Sequence, residues 1–221
     1  MPTNRCLFLA FGAIIAATSA LTAGCGGFGA LGGRSTQLDS AQFPVRLKPN
    51  FTTRVYTPIS ENEADVYLTD LPESAFDDPN ELSRSSGQLV HVHMFLRPRA
   101  GRTPVDTTAC TATVRYIVLA EGRVGVYTGG GFLFPRGAPG GKHFAATMAD
   151  GALRLYAKGP GFVDRVGSGE FDISFRARND ERVSELLQRT ADRLSLSADP
   201  VVLDQTRFEL TDEEIETPEG E

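Results

Sequence analysis

The segment Gln88-Leu89-Val90-His91-Val92-His93-Met94-Phe95-Leu96-Arg97 decides the fold of this 221-residue chain. Alternate residues of a strand point to opposite faces. Val90, Val92, Met94 and Leu96 share one side, while Leu89, His91, His93 and Phe95 share the other. Both sides are apolar enough to need cover, which predicts a central strand packed on each face.

Weaker strand signals surround it. Residues 54–57 are a short β-branched run ended by Pro58, and 64–71 alternate. Residues 71–87 read as a long acidic loop, with Glu73, Asp77, Asp78 and Glu81. Residues 112–120 predict a strand that turns tightly at Glu121-Gly122 into 123–128. Gly129-Gly130-Gly131 predicts a bulge or bend before 132–134. Residues 143–148 and 152–158 read as a hairpin about Asp150-Gly151, a strong turn dipeptide. Residues 169–178 alternate most cleanly, with Phe171, Ile173, Phe175 and Ala177 inward.

One helix follows, capped by Asn179 or Asp180, with Val183, Leu186, Leu187 and Leu194 on one stripe. A last strand is expected within 201–210. The fold class is mainly β: an antiparallel sheet or β-sandwich of about seven or eight strands with one C-terminal amphipathic helix.

The N-terminus carries a different signal. Arg5 precedes an apolar run from Leu7, which closes on Leu21-Thr22-Ala23-Gly24-Cys25. Basic residue, apolar core and small residues in that order mark a secretory segment. With cysteine directly after the small residues, it resembles the lipobox of bacterial lipoproteins, with Thr22 where that family usually has leucine. The resemblance implies removal of residues 1–24 and lipidation of Cys25. It further implies a place on the periplasmic side of the outer membrane, because Gly26 rather than Asp follows the cysteine. Cleavage after Ala20, or an uncleaved anchor, are the alternatives. The expected organisation is a 1–24 signal, a 25–42 flexible tether, a 43–210 globular domain and a 211–221 acidic tail.

The net charge of −6 is concentrated in that tail, whose Asp212, Glu213, Glu214, Glu216, Glu219 and Glu221 meet no basic residue. The remainder is balanced, so composition does not point to nucleic acid. Cys110 is left without an intrachain partner once Cys6 departs and Cys25 is lipidated, and reads as a small buried residue. His91-x-His93 places two imidazoles on one face of a strand, a weak metal-ligand pattern with His143 as a third donor. Two packed, hydrogen-bonded histidines fit the same spacing. No catalytic residue and no cofactor motif is identified.

If the strands alternate up and down, the loops 98–111, 135–142 and 159–168 share one end. Arg97, Arg99, Arg102, Arg136, Lys142 and Arg165 would then form a basic surface for an anionic envelope component or protein partner. The leading reading is a non-enzymatic binding or structural lipoprotein of the cell envelope. The alternatives are a metal-dependent periplasmic enzyme at His91 and His93, and a carrier holding an apolar ligand between sheet and helix.

Overall fold

The computed structural model describes residues 35–99 and 109–201. The chain divides into units Met1–Gly32 and Gly33–Glu221, and the fold lies in the second. The signal, Cys25, Arg102 and the acidic tail lie outside the described residues.

Among the described residues, eleven strands and three helices follow in order. They are β1 (Ser35–Ser40), β2 (Arg46–Leu47), β3 (Thr53–Pro58), β4 (Ala64–Thr69), α1 (Ser74–Asp77), α2 (Pro79–Leu82) and β5 (Gly87–Met94). Then come β6 (Ala112–Ala120), β7 (Arg123–Gly131), β8 (Leu133–Pro135), β9 (His143–Lys158), β10 (Ser168–Asn179), α3 (Glu181–Leu196) and β11 (Asp199–Pro200). All these strands belong to one sheet, ordered β11-β9-β7-β6-β5-β4-β3-β10-β1-β2, with β8 off this path on β9, and β9 also pairs with β10. That second pairing closes β3, β4, β5, β6, β7, β9 and β10 into a ring. The fold is mainly β with one long C-terminal helix, as expected, but it is one closed sheet instead of a sandwich.

The expected count of seven or eight strands is too low, and the sheet is mixed. Its parallel step joins β10 to β3, with Arg178 opposite Val55. Two differences in the elements account for the rest. Ser35–Ser40, expected as tether, forms β1 against β10, because Leu38 and Thr36 turn inward and are buried. Asp150-Gly151 does not turn the chain. Asp150 adopts a left-handed backbone (φ 56°) inside a continuous β9, at an irregularity opposite Phe171–Ile173. A side chain at position 151 would press on Met148 Sδ at 2.8 Å and Phe171 O at 2.9 Å, so only glycine fits there. The triple glycine ends β7, and the strand is interrupted at Phe132 before β8 resumes on β9; a Cβ on Gly129 would collide with the Ala152 carbonyl of β9.

The alternation along β5 sorts two cores. Val90, Val92 and Met94 point into the ring with Tyr116, Phe144, Phe171 and Ile173, filling it with side chains. Leu89 points outward, with Tyr67, Ile117 and Val126, to meet Val183, Leu187, Ala191 and Leu194 of α3. Asp180 caps that helix by accepting from the Val183 amide at 3.1 Å. The acidic loop contains α1 and α2, and Asp78 caps the second through the Asn80 amide. β5 stops at Met94, so Leu96 is exposed rather than core.

A charge at Val92 would have no partner inside the ring. Val92→Asp is expected to lose at least about 4 kcal/mol and unfold the domain. Leu96→Asp on the same parity is expected to leave it folded, and urea melts of the two variants check the contrast.

Candidate functional site

The ring has two ends. Pro58, Ala64, Met94, Ala112 and Gly131 lie in one row of paired residues, and beyond them is the tip. At the other end lie α1 and α2, the 121–122 turn and the 159–167 loop; this end is the mouth. The unbroken β9 sends residues 135–142 to the tip and 159–167 to the mouth. Arg165 therefore lies at the end opposite Arg97, Arg99, Arg136 and Lys142, which corrects the expected up-and-down order. Those four remain together at the tip.

His91 and His93 face outward from β5. Both contact one oxygen of Asp65 on β4: His91 Nε2 at 2.8 Å and His93 Nδ1 at 2.9 Å. A carboxylate only accepts, so each ring nitrogen donates, which sets the tautomer of each imidazole. Burial raises the Asp65 pKa, but the hydrogen bonds and charges of the two histidines outweigh it and hold the carboxyl below its ordinary value. Tyr67 stacks on His91 with ring centres 4.6 Å apart. Burial first, and then the Asp65 and Asp192 charges, push the Tyr67 phenol up. Arg115 on β6 ties this row to α3 through Asp192 at 2.7 Å.

His143 does not join the pair. The row His91–Tyr67–Val55–Arg178–His143 puts it four strand spacings away, about 19 Å along the wall. It lines a polar recess of 390 Å³ with Arg54, Arg176, Arg178 and Glu73. Among the described residues, three metal-capable donors come within 4.8 Å of one another at Asp150, Glu170 and Asp172, an acidic cluster at the β9 irregularity. Cys110 is exposed, not buried, and its thiol points at the Ala112 carbonyl.

The mouth holds the feature that sequence reading missed. Val45, Leu47, Val118, Tyr127, Phe162 and Val166 line a mainly apolar recess of 370 Å³, with Arg123 and Arg165 at its edge. Asp164 braces the loop that forms one side of the recess. Its Oδ1 accepts from the Tyr127 hydroxyl at 2.6 Å and from the Val166 and Gly167 amides at 2.9 Å each. Burial opposes the charge on Asp164, yet these donors, led by the Gly167 amide, keep its pKa below the ordinary value. The Phe162 ring lies against Gly125, where any Cβ would collide with it. The signal was an apolar Phe162-Val163 pair inside a Gly/Pro loop, where solvent-facing residues are usual.

Asp65→Asn keeps an acceptor and removes the charge that two donors share. A depressed carboxyl stabilises the fold above its unfolded pKa near 3.8, and this contribution fades as pH falls through the lower folded value. The variant is expected to lose about 1 kcal/mol at neutral pH and to converge with the parent in acid, measured by denaturant melts across pH. No protein-family model matches this chain, and neither a curated protein nor a solved structure matches it.

Proposed function

We propose that the chain is a lipid-anchored envelope protein, held through Cys25, whose barrel is a binding module taking an apolar group with an anionic end into its mouth. The observation that carries this reading is the 370 Å³ recess. Ligand sites are commonly concave, mainly apolar and set in barrel mouths, with a few polar groups that orient the ligand. Arg123 and Arg165 suit a carboxylate or sulfonate at the rim. The carrier reading thus moves from the sheet–helix interface, where the Leu89 and Leu187 core is packed, to the end of the ring. The metal-dependent reading has less support, because His91 and His93 both donate to Asp65.

The absence of tryptophan from the chain makes a clean probe possible. Val163→Trp at the exposed rim introduces a single indole, and a brominated medium-chain fatty acid is expected to quench it saturably. Adding Val118→Phe, which fills the recess, is expected to weaken that quenching about tenfold with the melting temperature kept. Undiminished quenching in the filled variant would sink the mouth as the site. The anchor is tested separately. Cys25→Ala is expected to leave an unprocessed precursor or to release the protein from membranes, and unchanged processing and fractionation would exclude lipidation there.

A further inference from the structure

Four of the eight large apolar side chains exposed in the described residues gather at the tip: Phe95 at 38%, Leu96 at 42%, Phe134 at 50% and Ile59 at 52%. The local backbone holds most of them together. The amides of Phe95 and Leu96 both donate to the Thr111 carbonyl, and the Leu133 amide donates to the Thr111 hydroxyl. Phe132 packs against Phe134 with ring centres 4.6 Å apart. The 136–142 loop folds over this end, where the Tyr56 hydroxyl donates to the Gly141 carbonyl. Arg97, Arg99, Arg136 and Lys142 lie on these same segments, while Glu61 and Glu63 on the neighbouring turn, Asp180, which is paired to Arg178, and Glu181 are acidic groups at this end.

The chain also enters the sheet from this side. Ser35 begins β1 in one row with Ser174, Thr147 and Phe134, three strand spacings or about 14 Å from that phenylalanine. Only nine residues separate Cys25 from Ser35, a span of at most about 35 Å even when extended.

We propose that the tip docks on a bilayer surface containing anionic lipid, with Phe95, Leu96 and Phe134 among the headgroups and Arg97, Arg99, Arg136 and Lys142 against their phosphates. Charge complementarity selects this partner: aromatic and aliphatic side chains interleaved with basic ones suit an anionic interface, where each contributes in a different way. The orientation rests on the reading of Cys25 as the anchor, since the nine intervening residues cannot carry Ser35, about 14 Å from Phe134, more than about 35 Å from the lipid. The chemistry of the surface does not rest on it.

The test uses the chain from residue 26, which carries no lipid and keeps the whole Gly33–Glu221 unit. It is sedimented with vesicles of phosphatidylcholine, alone or mixed with phosphatidylglycerol. Binding is expected to the mixed vesicles, falling steeply with salt. Phe95→Ser with Phe134→Ser, and separately Arg97→Glu with Lys142→Glu, are each expected to weaken it about tenfold or more, with melting unchanged. If the phenylalanine pair destabilises the domain, the charge-reversal pair decides. The proposal is overturned if the parent chain ignores the mixed vesicles, or if the charge-reversal variant binds them as well as the parent. It is equally overturned if the tip proves to be a self-association surface, giving a dimer that the phenylalanine pair dissolves and no vesicle binding. Failure of Cys25 processing in cells removes the anchor and leaves this result standing.

Discussion

The fold depends on β9 remaining unbroken from His143 to Lys158. Its first part pairs with β10 and its second with β7, and residues 152–154 pair with both neighbours at once. That double pairing joins the two edges of what would otherwise be an open sheet. A strand with one neighbour leaves a row of unpaired amides and carbonyls, a recognised hazard that closure removes. The close approach this requires sets the local sequence. Gly129, Gly130 and Gly151 stand where a side chain would meet backbone or Met148, and Asp150 takes up the excess length in a left-handed conformation.

Much of the fold was legible because burial on strands obeys a period of two. The two-faced segment around Val92 was read as a central strand covered on both sides, and it is one, with the filled ring within and α3 outside. The inward set of β10, from Phe171 to Ala177, and the capped helix after Asp180 followed from the same kind of pattern. What local pattern does not carry is which strands are neighbours. Asp-Gly is favoured in turns because both residues tolerate positive φ, and a bulge uses that same tolerance. Reading it as a turn cut β9 in two, reversed the up-and-down direction of everything after it and sent Arg165 to the wrong end. β1 was missed for a different reason: its Ser-Thr-Gln-Leu-Asp-Ser sequence has one strong apolar residue, and its strand character comes from the partner.

The candidate sites divide in the same way. The adjacency of His91 and His93 is local, so sequence found it. Their acceptor is Asp65, a cross-strand neighbour 26 and 28 residues away, visible only once the β4–β5 register is known. The mouth recess is less local still, drawing on β2, β6, β7 and the 159–167 loop. Its clearest trace in the sequence is an apolar pair in a loop. The basic group at the tip was recovered because Arg97, Arg99, Arg136 and Lys142 all belong to connections that leave the ring upward, whichever way β9 continues.

The filled interior separates the two ends physically. β6 alone runs nine residues from tip to mouth, about 26 Å at the rise of a strand. Between them the buried side chains of Tyr116, Phe144, Phe171 and Ile173 occupy the ring. Tightly packed interiors transmit strain rather than absorb it, but side chains at either surface share no partners across this distance, so their effects should add independently. Membrane docking at the tip and ligand capture at the mouth are therefore compatible in one molecule. The first would turn the second away from the bilayer, so that the mouth would take its ligand from the aqueous side.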